Sequence, residues 1–159
     1  MDPEIETYSK YVRKQIADIH AALKGLSDEQ LNQRPDVDGA NSGYVIATHV
    51  LGNARAWILA IACGQPLSRD RPTEFASSGT SEALGKAAAA LSSEIDEALA
   101  GLDPSTLDDR FVPAQELWGE GEPHEIARRE AMAHVVEHAA MHLGQIHMTR
   151  DLVLKDSRP

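Results

Sequence analysis

Histidines are the residues of this sequence whose type and spacing best suit a chemical role. Four of the seven lie between positions 134 and 147. On an α-helix, positions i and i+4 lie one above the other with their Cβ atoms roughly 6 Å apart, so His138 and His142 can direct two imidazole nitrogens at one point. Such nitrogens bind divalent cations at about 2.1 Å. A pair of hydrogen-bonded core histidines would have the same spacing, so the spacing alone leaves both interpretations open.

The neighbours of these histidines indicate which way each side chain faces. Mostly apolar residues share the helical face of His138 and His142, at about 100° per residue: Ala131, Val135, Gln145, Thr149 and Val153. Small, apolar or neutral residues share the face of His49 on an earlier helix: Val45, Ile46, Asn53, Ala56, Trp57 and Ala60. Burying an imidazole among such side chains is costly unless the ring has a polar partner. We therefore expect these three histidines to point inward and to bind one divalent metal ion. Three neutral nitrogens with an open fourth position are typical of a catalytic centre.

Three further residues are candidates for the wall of a pocket beside this ion. Asn53 follows His49 by one helical turn and is placed to hold a water or a substrate, with a hydrogen-bonded core amide as the alternative. Trp57 and His134 are the others, and packing, a structural role or a subunit contact would explain them as well. Cys63 lies about 21 Å from His49 at 1.5 Å per residue, too far to share its ion, and is expected to be a small core residue. No general base is apparent, so the catalytic residues are unassigned.

Helices must position these side chains, and the hydrophobic periodicity predicts four long ones. They span about Pro3–Lys24, Asn41–Cys63, Ser81–Ala100 and Pro123–Leu154, separated by breaks rich in glycine, proline and aspartate. Short helical turns are predicted near residues 27–29 and 104–106. No stretch shows the alternation of a half-buried strand. We therefore expect an all-α fold, a four-helix bundle in one domain covering residues 1–159, with residues 64–79 forming a long crossover.

Composition and charge exclude several classes of partner. The net charge is −10, from 25 acidic and 15 basic residues, and an acidic chain repels phosphate backbones. We therefore expect no nucleic-acid partner. The longest apolar run, Ala56–Cys63, is much shorter than the ~20 residues of a membrane span, and the first residues lack the pattern of a secretory signal. With a single cysteine, the sequence suits a reducing compartment, and we expect a cytoplasmic protein with no membrane partner.

Three stretches of the sequence resemble the DinB-like family. The most specific is residues 134–146, HVVEHAAMHLGQI, which resembles the terminal HxxxHxGQI signature of the family. The second is GANS at residues 39–42, seven residues before His49, the position at which members carry their first metal ligand. The third, residues 64–75, resembles a segment common in one branch.

This resemblance implies a fold, an assembly and a set of metal ligands. Members form an up-down-down-up four-helix bundle, usually dimeric, and bind zinc, nickel or a similar ion on three histidines, which here are His49, His138 and His142. The superfamily includes transferases that depend on bacillithiol or mycothiol. In the mycothiol-dependent isomerase branch one ligand is a glutamate, whereas every matching position here is histidine. The resemblance therefore argues against that isomerase activity.

Three hypotheses for the function follow from the site and the resemblance. The first is a metal-dependent enzyme of the thiol S-transferase or hydrolase type, in which the ion activates a low-molecular-weight thiol or a water. The activated group would attack a small electrophilic molecule. The second is a non-catalytic stress-response protein that binds a metal or a small molecule. The third is a structural dimer with a vestigial site.

Overall fold

A computed structural model of the protein describes residues 1–156 and is mostly helical, with 68% of its residues in helices. In chain order the elements are α1 (Pro3–Leu23), α2 (Asp28–Asn32), α3 (Gly43–Ala54), its π-helical continuation (Arg55–Ala62), α4 (Arg71–Phe75), α5 (Ser81–Ala100), a 3₁₀ turn (Pro104–Thr106), β1 (Arg110–Phe111), α6 (Gln115–Trp118), β2 (Ile126–Ala127) and α7 (Arg128–Asp156). The helical class is confirmed, while the up-down-down-up order of a bundle stays a prediction.

The first and third predicted helices have the expected limits because their sequences carry clear start signals. In α1 the Asp2 side chain accepts a hydrogen bond from the backbone N–H of Glu4, and in α5 the Thr80 side chain accepts one from Ala83. These side chains satisfy N–H groups that have no partner within the helix. The two predicted short turns are also present, as α2 and the 3₁₀ turn.

The fourth predicted helix, Pro123–Leu154, begins later than expected. Residues Ile126 and Ala127 instead form β2, which pairs antiparallel with β1. The Glu130 carboxylate accepts a hydrogen bond of 2.6 Å from the backbone N–H of Ala127, so the true start of α7 is Arg128. The expectation of no strand is therefore wrong for four residues. Two-residue strands are too short to produce a recognisable alternation.

The second predicted helix, Asn41–Cys63, contains two kinds of helix. It is α-helical over Gly43–Ala54 and π-helical over Arg55–Ala62. A π-helix has i→i+5 hydrogen bonds, and the backbone N–H of Cys63 accordingly donates to the carbonyl of Ile58 at 2.9 Å. Every residue of the π-helical segment after Arg55 is buried. Because the segment is apolar on all sides, hydrophobic periodicity contained no sign of the change.

The same helix has the length and hydropathy of a membrane span. Within residues 1–156 it is the one helix with these properties, counted over Gly43–Ala62, and 78% of its most apolar window is buried in the protein. It is longer than the apolar run expected from the sequence. Burial of this degree is typical of the core helix of a folded domain.

Packing of the long helices determines where the predicted ligands meet. α1 packs against α5 and α7, and α3 with its π-helical continuation packs against α7. The connection between α3 and α5, residues 64–79, is held against the protein, because its short helix α4 packs onto α3. One face of α3 is therefore enclosed between α7 on one side and this connection on the other.

Cys63 ends the π-helical segment and is half-buried rather than a fully enclosed core residue. Burial raises the pKa of its thiol to about 11, against a smaller lowering by the Arg128 guanidinium. The thiolate is the reactive form of cysteine, so the folded protein contains little of it at pH 8.5.

We expect iodoacetamide to alkylate Cys63 roughly a hundredfold more slowly in the folded protein than in urea at pH 8.5, since two pKa units correspond to that factor in thiolate. Mass spectrometry of timed samples measures the rate, and the chain has no other cysteine to confuse it. Equal rates in the two states would contradict the burial of this thiol.

Candidate metal centre

The structure brings the three predicted ligands together. His49 on α3 faces His138 and His142 on α7, and one possible ligand nitrogen from each ring lies within 4.8 Å of the other two. Two nitrogens that share an ion at about 2.1 Å are at most about 4.2 Å apart, so small rotations of the rings bring them to binding distance. The Nε2 atoms of His49 and His138 are already 3.2 Å apart. Binding of a metal by these residues stays a prediction.

A buried carboxylate orients the first of these rings. The Nδ1–H of His49 donates to Oε2 of Glu74 at 2.9 Å. Glu74 is only 8% exposed, and Arg69 donates to both of its oxygens, at 2.7 and 2.9 Å. A hydrogen bond from Nδ1 to a carboxylate fixes the tautomer of a metal-ligating histidine. The lone pair of His49 therefore lies on Nε2, the nitrogen that faces His138.

The His142 ring is oriented in the same way by a different partner. Its Nδ1 lies 2.7 Å from Oε1 of Gln145, so Nδ1 carries the hydrogen and Nε2 is free to bind. Gln145 was expected on the inward face of α7, but the structure places it at the surface. Nδ1 of His138 is buried and has no hydrogen-bond partner among residues 1–156. Three rings with converging free nitrogens are a donor set that zinc and nickel accept, so these residues fit a divalent cation.

Electrostatics at the site favour uncharged rings and an ionised carboxylate. Burial, followed by the nearby His142 and His49 rings, lowers the pKa of His138 to about 3. Burial also lowers the pKa of His142, partly offset by its bond to Gln145. Burial alone would raise the pKa of Glu74, but hydrogen bonds from His49 and Arg69 together lower it. A histidine must be neutral to bind a metal, and the rings of α7 meet that condition at neutral pH.

A cavity of about 570 Å³ adjoins the three histidines, which form part of its wall. The three pocket candidates from the sequence, Asn53, Trp57 and His134, also line it. The His134 ring stacks on Trp57 at 3.8 Å between ring centroids, and its Nε2 lies 3.5 Å from the Asn53 amide nitrogen. The structure therefore gathers these residues around one space, and their role in binding a ligand stays a prediction.

Comparison with known proteins identifies the family. The sequence profile described as mycothiol-S-transferase matches residues 7–154. The chain belongs to the mycothiol-S-transferase family. This is a DinB-like family, so the resemblance seen in the sequence is confirmed. None of the curated proteins compared with the sequence matches it.

A solved structure shares the fold of this mycothiol-S-transferase family member. It is the crystal structure of a conserved protein from Enterococcus faecalis, with a TM-score of 0.65 and 17% sequence identity. The match covers 94% of this chain and 96% of that one. The similarity supports the whole arrangement of helices described above.

Sequence reasoning missed two residues of this site, Glu74 and Arg69. They lie in the connection after α3, where no periodicity indicates which side chains turn inward. The available signal was Gly52, a glycine inside a helical pattern, which often marks a close approach. A Cβ at Gly52 would overlap the carboxylate of Glu74, so only glycine lets that carboxylate reach His49.

We expect Gly52→Ala to lower the free energy of unfolding by about 3–5 kcal/mol, because the added methyl displaces Glu74 and leaves Arg69 buried without its counter-ion. Urea unfolding followed by circular dichroism measures the change. Gly144→Ala is the matched control: it is also helical, and nothing lies within 4 Å of its Cβ position. That variant should gain up to about 1 kcal/mol. Equal effects of the two substitutions would show that Glu74 is not held at Gly52.

Proposed function

We propose that this protein is a metal-dependent thiol S-transferase that joins a low-molecular-weight thiol to a small electrophilic molecule. One observation carries the proposal: three imidazoles converge on the wall of a cavity large enough for small molecules. Membership of the mycothiol-S-transferase family supports a thiol as the cosubstrate. Zinc or nickel suits the nitrogen donors best.

A divalent cation in this site would lower the pKa of a coordinating thiol, so that the sulfur is a thiolate near neutral pH. The protein's own residues prepare the site for that role. Glu74 and Gln145 keep the free nitrogens of His49 and His142 directed inward. Burial lowers the pKa of His138 and His142, so these two rings are uncharged at neutral pH, and Arg69 pairs with the Glu74 carboxylate. The positive charge of a bound ion would therefore act mainly on the sulfur of the thiol.

In the transfer reaction a bond forms between sulfur and carbon while the bond from that carbon to the leaving group breaks. The leaving group departs with the bonding electrons, and the proton of the thiol passes to water. Met141 lines the cavity and is 63% exposed, so the cavity opens to solvent and the proton has a route out. Trp57 and Trp118 form an apolar wall on which the electrophile can rest.

A hydrolase is less well supported by the arrangement of carboxylates. Hydrolysis of this kind gains from a general base that accepts the proton of the attacking water. Glu74 is the carboxylate in hydrogen-bond contact with a predicted ligand, and it is not free to act as that base, because both of its oxygens are engaged by Arg69 and His49. The second candidate function is storage of a metal or thiol without catalysis.

We also propose a setting for the enzyme. The resemblance to DinB-like proteins supports an up-down-down-up bundle and a homodimer. The net charge of −10 supports the absence of a nucleic-acid partner, and the burial of the one apolar helix supports the absence of a membrane partner. A single half-buried cysteine is compatible with the cytoplasm.

We expect the purified protein to bind about one zinc or nickel ion per chain, and His138→Ala to bind less than about a tenth of that amount. Two remaining rings do not complete the set of ligands. Helicity should persist, because the variant replaces a partly unpaired buried ring with a small apolar group. Elemental analysis and circular dichroism measure the two properties. His147→Ala, at an exposed position of the same helix, is the control, and full metal content in His138→Ala would refute the assigned ligands.

The transferase activity is tested with monochlorobimane, which becomes fluorescent when a thiol displaces its chloride. Mycothiol, bacillithiol and glutathione are supplied in turn to the metal-loaded protein. We expect at least one thiol to react faster than in buffer alone, and the acceleration to disappear with a chelator and in His138→Ala. Tight metal binding without acceleration of any thiol would favour storage over catalysis.

A further inference from the structure

The wall of the cavity is unusually rich in aromatic side chains, which lie beside the histidine rings. The whole chain contains two tryptophans and two phenylalanines. Both tryptophans and Phe75 line this one cavity. Trp118 is half-buried, its ring centroid 5.1 Å from that of Trp57 and 4.6 Å from that of His124. An aromatic-poor protein that concentrates flat side chains in one cavity provides a surface for a flat ligand.

Two arginines line the same cavity, and their surroundings differ. The side chain of Arg69 is 4% exposed and is bound through two hydrogen bonds to buried Glu74. The side chain of Arg71 is 31% exposed, and its ion-pair partner Glu120, at 2.8 Å, is 81% exposed. Arg69 is therefore committed to the metal centre, whereas Arg71 is held by a partner that water already surrounds.

An exposed ion pair of this kind is exchangeable. Such pairs contribute about 0–1 kcal/mol, because solvent screens both charges. The Arg71 guanidinium also lies over the Phe75 ring, 5.1 Å from its centroid, which keeps it in position when its partner changes. A ligand carboxylate that replaces Glu120 gains a stronger bond, because the aromatic wall removes part of the surrounding water.

We propose that the cavity takes a planar aromatic anion, with its negative group on Arg71 and its ring against Trp118. This inference rests on the proposed function and defines the class of its electrophilic substrate. An aromatic carboxylate or sulfonate can pair with the Arg71 guanidinium and pack its ring against Trp118 at the same time. The chain as a whole is acidic, so recognition of an anion depends on the Arg71 guanidinium rather than on the general field of the protein.

Three probes separate the contributions of charge and ring: 2-naphthoate, its neutral analogue 2-naphthamide, and the non-aromatic anion cyclohexanecarboxylate. Binding to the full-length protein is measured by isothermal titration calorimetry, before and after removal of metal with EDTA. We expect 2-naphthoate to bind at least about tenfold more tightly than either of the others, with or without metal. A preference for 2-naphthoate that vanishes with EDTA would show that the carboxylate binds the ion and would overturn the assignment to Arg71.

Substitutions of the two residues of the ion pair are expected to change the affinity for 2-naphthoate in opposite directions. Arg71→Gln should weaken 2-naphthoate about tenfold or more and leave 2-naphthamide unchanged. Glu120→Gln should tighten 2-naphthoate by up to about fivefold, because the competing carboxylate is lost. Arg13→Gln is the matched control, since Arg13 forms a similarly exposed pair with Asp96 and does not line the cavity. A purely structural role for Arg71 would not produce the gain in Glu120→Gln.

Trp118→Leu should weaken both naphthyl probes about two- to tenfold and leave cyclohexanecarboxylate unchanged. Equal affinities of 2-naphthoate and 2-naphthamide for the unaltered protein, or no binding of either, would overturn the proposal.

The anion-binding proposal and the proposed transferase activity can be refuted independently of each other. Binding of 2-naphthoate that depends on Arg71, without thiol transfer, would leave this inference standing and remove the enzymatic one, while thiol transfer without an effect of Arg71 would do the reverse.

Discussion

The buried contact between Glu74, Arg69 and His49 is the interaction on which the site depends. A carboxylate inside a protein is stable only when its charge and its hydrogen-bonding capacity are both matched, and here Arg69 matches the charge while His49 uses the remaining capacity. The contact joins the connection after α3 to the helix that carries the first predicted ligand. It adds to the hydrogen bonds that Asn32 and Arg34 donate to the carbonyls of Gly79 and Phe75 in the same connection. Residues 64–79 are thus fixed against the body of the protein, and Phe75 and Arg71 form part of the cavity wall.

The charge balance of this contact also shapes the proposed chemistry. A metal ligand is often made more basic by a carboxylate that accepts its second N–H. In this protein the carboxylate is paired with a guanidinium, so it orients the ring with less transfer of negative charge toward the metal. Three imidazole ligands would then leave most of the charge of a divalent cation available to a sulfur ligand, as the proposed activation of a thiol requires.

Local patterns predicted the parts of the fold and site that are determined locally. The four-residue spacing of His138 and His142 and their apolar face located the pair on α7, and the cap at Thr80 fixed the start of α5. Glu74 and His49 are far apart in the sequence. The periodicity of a helix or strand describes only neighbouring residues, so it could not predict this contact. The strand pair at Ile126 was missed because it is only two residues long. Gly52 was a local sign of the missing neighbour, because the Glu74 carboxylate lies where its Cβ would be.

The π-helical segment Arg55–Ala62 sets the angular relation between two parts of the cavity wall. Each turn of a π-helix accommodates more residues than an α-helical turn, so the side chains after Ala54 are rotated relative to an α-helix of the same sequence. His49 precedes the π-helical segment and Trp57 lies within it. The directions of these two side chains can therefore be changed independently by adding or removing a residue between them. A protein of this kind can change the shape of its cavity by gaining or losing a single residue in the helix, without replacing any residue that lines the cavity.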